Sequence, residues 1–269
     1  MIRRCKIILD DLIAKVHNLK PNHLYENNFV TSQKFPTSVL FSLCQMFFNC
    51  QGFKHNDLKP TNIGVMIKNG QYKMEYIDLG SMGSRGSPDS CASHSIYPAT
   101  LLYLSNTKVP DYDSNFFENF LDSDDDEMNT TELVEESKHI TATVKETCKK
   151  AKGNFGEGRG DNLWAKGLVL RECMEGQHPA MKNGQDLDSI FETLKTTDFY
   201  TDFIQSKVYD KFYKNDPEFE PVRRFLQLAF ERDAEKREAN CFQLLNNERE
   251  IFDGVGDLRG ELSKYYDLE

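Results

Sequence analysis

Long apolar runs are missing from this chain. At the N-terminus two arginines precede Ile7-Ile8-Leu9, but that run stops at Asp10-Asp11, and neither a signal-peptide core nor a membrane span follows. Paired cysteines are missing too. Cys5, Cys44, Cys50, Cys91, Cys148, Cys173 and Cys241 form no C-x-x-C pair and are odd in number. That pattern argues against a zinc site and a disulfide framework, and for free thiols in a reducing compartment, cytoplasmic or nuclear. Positive charge is in deficit as well, with 33 Lys and Arg against 43 Asp and Glu and a net charge of −10. The imbalance is local: residues 111–138 hold eleven acidic residues and one basic residue, leaving 32 of each sign elsewhere. A neutral body with one acidic segment excludes the large basic surface that nucleic acid or an anionic membrane would require.

What is present suits a folded protein. A chain of 269 residues, 39% of them hydrophobic, can bury a core as one domain or as a domain with an appendage. Ile8, Leu9, Leu12, Ile13, Val16 and Leu19 share one face of a helix over 6–19, which Lys20-Pro21-Asn22 should end. Pro36 breaks a polar stretch, and Ser38 is placed to cap a second helix carrying Val39, Leu40, Leu43, Cys44, Met46, Phe47 and Phe48. That helix is apolar on most sides and should be buried, with Gly52 just past its end.

A hairpin follows. Ile63, Val65 and Ile67 alternate with other residues, Asn69-Gly70 forms a turn, and Tyr72, Met74 and Tyr76 alternate on the return. Its two ends bring Asn62 and Asp78 together, and two such oxygens meeting at one point are what a Mg²⁺ site needs. Residues 81–95, rich in Ser and Gly, read as a loop. The acidic run comes next, then a polar stretch over 141–152 and four glycines between Gly153 and Gly160, which read as a hinge. From Asp161 the pattern is helical to the end, with interruptions near Gly176–Gly184 and Asn215–Pro217. No internal repeat is visible.

His55-Asn56-Asp57-Leu58-Lys59-Pro60-Thr61-Asn62, with Asp78-Leu79-Gly80 after it, resembles the H-R-D-L-K-x-x-N catalytic loop and D-F-G triplet of eukaryotic-type protein kinases. Two further blocks occur in that family's order. Asp161 to Gly167, with Trp164 inside it, looks like the D-x-W-S-x-G run that opens the buried central helix, and Gly176-Gln177-His178-Pro179 resembles the G-x-x-P stretch after it. Asp233 to Arg237 resembles the D-P-x-x-R turn between the last two helices. The resemblance runs from about Thr37 to Leu245. It implies a mostly α, kinase-like C-terminal (large) lobe over 37–269, with a short β-hairpin catalytic region and an acidic insertion over 111–158. Residues 1–36 are then an N-terminal helical elaboration.

The family's roles, carried over on these matches, make Asp57 the base for the substrate hydroxyl and Lys59 the residue that steadies the transferred phosphate. Asn62 and Asp78 become the Mg²⁺ ligands, with ATP as the phosphoryl donor and a protein substrate or partner kinase as the partner. Lys59 is similar to the Ser/Thr branch of the family. His55, Asp161, Trp164 and Arg237 become scaffold residues, Asp161 bracing His55.

Departures from the pattern limit the implied activity. Only 54 residues precede His55, too few for a nucleotide-binding lobe, and they contain neither G-x-G-x-x-G nor a V-A-I-K strand. Weak or no activity of the isolated chain is therefore expected. Asn56 stands where the family's Arg reads an activation-loop phosphate, so Ser81, Ser84, Ser87, Ser90, Ser93 and Ser95 are not expected to activate through that contact. Tyr97-Pro98-Ala99 looks like A-P-E without its glutamate, which robs Arg237 of its ion-pair partner, so a substitute acid is predicted. Ser123, followed by Asp124, Asp125, Asp126 and Glu127, resembles an acidophilic phosphorylation site.

Other classes stay open. A pseudokinase interaction or scaffold module needs no metal ligand at Asp78. A small-molecule phosphotransferase also carries H-x-D-x-x-x-x-N, although Lys59-Pro60 and Trp164 weigh against it. In a third reading Met1 is an internal start, and an upstream reading frame encodes the missing lobe.

Overall fold

The computed structural model describes residues 7–19, 33–49, 53–55, 58–68, 71–79, 83–84, 159–181, 193–194, 196–233, 236–237, 239 and 258–268. These residues are mostly helical, with a small three-stranded antiparallel sheet. Among them no helix is long and apolar enough to cross a membrane.

The N-terminal segment, expected to be helical from residue 6, opens instead as a strand. β1 (Ile7–Ile8) pairs antiparallel with β3 (Ile63–Lys68), setting Ile7 against Val65 and Ile8 against Gly64. β-branched side chains suit that half-buried edge, and a partner strand decides the matter. Only then does α1 (Leu9–His17) begin, burying Leu9, Leu12, Ile13 and Val16 as their spacing requires. It stops before Lys20: Asn18 takes a left-handed conformation (φ 54°), and Leu19 N–H donates to the Ala14 carbonyl at 2.8 Å. His17 Nε2 donates to the Cys173 carbonyl at 2.7 Å, which ties this segment into the core rather than leaving it outside.

α2 (Thr37–Asn49) starts two residues earlier than a Ser38 cap would set it, so Ser38 lies within the helix rather than capping it. Its apolar residues Val39, Leu40, Leu43, Cys44, Met46 and Phe47 are all buried. The approach to α2 is pinned from far along the chain. The Tyr213 hydroxyl donates to the Phe35 carbonyl and accepts from Phe35 N–H, both at 3.1 Å, while Asp216 accepts from Thr37 at 2.9 Å and from Lys34 at 2.5 Å. After α2, β2 (Phe53–Lys54) pairs with β5 (Gly83–Ser84), so the segment read as a loop is in part a strand.

α3 (Arg159–Glu175) runs through the centre, with Leu163 to Glu175 buried except for the half-buried Lys166. It ends where Gly176 adopts φ 77° and donates to the Glu172 carbonyl at 2.8 Å, a conformation that glycine reaches without a Cβ penalty. α4 (Phe199–Ile204) is capped by Asp198, and α5 (Lys207–Phe212) by Ser206. A 3-10 turn (Pro217–Phe219) leads into α6 (Glu220–Ala229), which packs on α3. The approach is close: a Cβ on Gly167 would lie 3.0 Å from Ala229 Cβ and from the Phe230 ring. α7 (Leu258–Leu262) packs on α2 and on β4 (Gln71–Tyr76), and Lys15 donates to the Tyr265 carbonyl at 2.8 Å just beyond it. Cys44 and Cys173 are free and fully buried, and burial pushes both thiols well above their ordinary pKa, which makes them unreactive.

His178 carries a pH dependence. It is fully buried and accepts from Ala180 N–H through Nδ1 (3.2 Å), so its ring proton sits on Nε2. Burial first, and the Arg171 guanidinium second, push its pKa down from 6.5 to about 3. In the unfolded chain the ring titrates near 6.5, so below that pH the unfolded state binds the extra proton. Stability is therefore unaffected by this group above about pH 6.5 and falls by up to about 1.4 kcal/mol per unit as the pH drops toward 3. Urea unfolding between about pH 6.5 and 5, above the carboxylate range, should show this slope, and His178→Asn, whose Oδ1 can replace Nδ1 as acceptor, should lose it.

Candidate functional site

The hairpin positions the site. β3 and β4 pair from Ile63 against Tyr76 to Lys68 against Gln71, a register that leaves a two-residue connection at Asn69-Gly70. Beyond the last pair, Ile77 N–H donates to the Asn62 carbonyl at 2.9 Å. Asn62 closes a 3-10 turn (Pro60–Asn62), and its own N–H donates to the Lys59 carbonyl at 3.0 Å. The Ile77 carbonyl faces His55, whose Nε2 lies 3.4 Å away. One change of backbone direction at Asn62 thus links the histidine, the asparagine and the residue before Asp78.

Asp78 has φ 54°, one of two non-glycine residues with positive φ among those described. Asn18, the other, closes a helix, whereas Asp78 lies two residues past the end of β4 and directly before a 3-10 residue at Leu79. A strained backbone at such a point is a pointer to function. The carboxylate is exposed, whereas Asn62 is buried (6% exposed) and Lys59 is half-buried. Next to Asp78, Leu79 is 55% exposed.

Support comes from behind. The His55 ring is buried and tilted against Tyr76, with centroids 5.0 Å apart. Tyr76 stacks on Phe47 at 6.4 Å, and Phe47 on Phe225 at 6.0 Å. Trp164, 1% exposed, meets Phe199 and Phe230 edge to face at 5.8 and 5.4 Å. Arg237 is equally buried, its guanidinium 5.6 Å from the Trp164 ring centroid. Arg237 Nη1 donates to the Glu231 carbonyl at 2.5 Å and the Arg232 carbonyl at 3.2 Å. The compensation expected from a substitute acid is thus supplied, at least in part, by main-chain oxygens and an aromatic face.

The structure brings His55, Asn62 and the backbone leading to Asp78 together, with Lys59 at the start of the same turn. Asn56 and Asp57 lie outside the described residues, as do Tyr97-Pro98-Ala99, the acidic run with Ser123, and the glycine hinge. Asp161 falls in the first turn of α3, but its side chain, and with it the expected brace to His55, also lies outside them.

Sequence reasoning missed a buried polar cluster. Arg171, with no exposed surface, donates through Nη1 to the Phe199 carbonyl at 3.0 Å and through Nη2 to Asp202 at 2.9 Å and to Glu175. The spacing of four between Arg171 and Glu175 on one helix was the available signal. Lys166, inside the motif that carries Trp164, was also missed.

For a metal, the donor set offers two oxygens, one from Asp78 and one from Asn62, and among the described residues no group of three or more His, Cys, Asp or Glu gathers. Two such donors fit Mg²⁺, which keeps waters and binds through one or two carboxylates together with substrate phosphates. They do not make a closed cage for zinc or calcium. The chain matches no family model, and no curated protein matches it significantly.

Proposed function

We propose that this chain is the large lobe of a Ser/Thr protein-kinase-like phosphotransferase, acting with ATP and Mg²⁺ on a protein hydroxyl. The observation that supports this reading is the Ile77 to Asn62 hydrogen bond, with Asp78 held in a left-handed conformation one residue on. It sets the backbone of two separate pieces of the motif side by side. Asp57 accepts the proton of the attacking hydroxyl, and the Lys59 ammonium stands against the transferred phosphate. Asn62 and Asp78 would hold the cation, whose charge would offset that of the nucleotide's phosphates. His55 is a positioning residue whose ring bridges Tyr76 and the Ile77 carbonyl. With neither a G-x-G-x-x-G loop nor a V-A-I-K strand in the sequence before His55, weak or no turnover by this chain alone is expected, since each preorganised partner lost costs about 10²–10³ in rate.

A pseudokinase interaction module is the second reading, and the exposed Leu79 beside Asp78 favours it by offering an apolar contact. Calorimetry separates the two. Micromolar, Mg²⁺-dependent ATP binding that weakens about 10²-fold or more in Asp78→Asn is the expected result. No binding at millimolar nucleotide would sink catalysis by this chain and leave the interaction module.

A further inference from the structure

We infer that Lys166 is a positioning residue for the candidate site, locking the exit of α2 and, through Phe47 and Tyr76, the pairing of Asn62 with Ile77. Lys166 is the one half-buried residue in the otherwise buried stretch 163–175 of α3, where an apolar residue would pack more simply. Its Nζ donates to the Phe47 carbonyl at 3.0 Å and lies 5.5 Å from the Phe47 ring centroid. That carbonyl is in the last turn of α2, where carbonyls lack intrahelical partners and a cation is favoured. The same contact therefore holds the helix end and the ring.

From there the connection is short. α2 leads within a few residues into β2, which also packs on α3. β2 in turn leads directly to His55. In parallel, the Phe47 ring stacks on Tyr76, the last residue of β4, and Tyr76 packs on His55. Ile77, next in sequence, donates to Asn62 and offers its carbonyl to His55. Lys166 thus braces both arms that converge on His55, the one through α2 and β2 and the one through β4. Loosening it frees the Phe47 carbonyl and the Phe47 ring together, so the effect should reach Ile77 rather than stay at the helix end.

The consequence for nucleotide binding rests on the reading of Asn62 and Asp78 given above, whereas the positioning itself does not. The test is residue-resolved hydrogen exchange on the whole chain, comparing wild type, Lys166→Met, Lys166→Gln and Lys166→Arg, with Mg²⁺·ATP calorimetry on the same proteins. In Lys166→Met the Ile77 and Asn62 amides should exchange about tenfold faster, while the Phe230 amide at the end of α6 keeps its rate. Mg²⁺·ATP affinity should fall about tenfold, as for other groups that orient a metal ligand from behind. Lys166→Arg should restore both, and Lys166→Gln, which keeps an N–H donor without the charge, should fall between and replaces Lys166→Met if that variant does not fold. Uniformly faster exchange across α2, α3 and α6, or no change at Ile77, would overturn the proposal. If the wild type binds no nucleotide, the functional reading fails, and the exchange data alone still decide whether Lys166 positions this turn.

Discussion

Replacing Arg171 by methionine is expected to destabilise the protein by about 3–5 kcal/mol. The side chain has no exposed surface, and Glu175, one of its partners, is 5% exposed. Removing the guanidinium takes the Arg171 cation away from the buried Glu175 carboxylate, a loss expected to exceed the cost of the lost contacts. The Phe199 carbonyl loses one donor in the same change, and the Phe199 and Phe203 rings lose the cation packed within 6 Å of each. Asp202 suffers less, because its side chain is 42% exposed and water can replace the arginine. For a chain of this size the midpoint of thermal unfolding should drop by roughly 6–20 °C. A second substitution separates charge from packing. Arg171→Met combined with Glu175→Leu should recover much of the loss, because the Glu175 carboxylate is then removed together with its cation. Equal melting of the single and double variants would show that packing, not charge, sets the cost.

Asp57→Asn should lower phosphoryl transfer by about 10²–10⁴-fold while leaving Mg²⁺·ATP affinity unchanged. The reasoning turns on what each oxygen does. In the proposed reading Asp57 takes a proton from the attacking hydroxyl and touches neither metal nor phosphate, so its carboxamide replacement keeps the shape and loses only basicity. Asp78 is the opposite case: its charge faces the cation, so Asp78→Asn loses binding first. On the proposed reading turnover is expected to be low, so the measurement is single-turnover transfer from labelled ATP to a Ser/Thr peptide mixture, run beside calorimetry. The signature of the mechanism is a split, with transfer lost at Asp57 and binding lost at Asp78. A drop in affinity at Asp57 equal to that at Asp78 would mean the two act as one structural unit, as a scaffold would require.

How much was legible beforehand differs along the chain. The hairpin was, because alternation and an Asn-Gly turn are local signals and the register follows from turn length. The faces of α1 and α2 were, because burial of Leu12, Leu43 and their neighbours follows the helical period. The start of α1 was not: Ile7 and Ile8 fit a helix or a strand equally well, and β3, more than fifty residues on, selected the strand. Gly83 and Ser84 looked like loop for the same reason, since only pairing with β2 makes them a strand. At the site, the nearness of Asn62 and Asp78 could be read from the hairpin. The left-handed backbone at Asp78 could not, nor could the turn in which Asn62 N–H donates to the Lys59 carbonyl while the Ile77 carbonyl faces His55.

By itself, then, the sequence determined the helical periods, the hairpin and its register, the Gly176 helix stop and the residue types offered at the candidate site, all of which depend on neighbours a few positions apart. Tertiary structure alone decided that Arg171 and Glu175 share a buried pocket with Phe199, that Arg237 lies over Trp164 with main-chain carbonyls as acceptors, and that Lys166 closes the end of α2. Those outcomes need groups distant in sequence to arrive together away from water. The free energy of a buried charge or an unpaired carbonyl depends on what surrounds it in space, which a linear pattern does not specify.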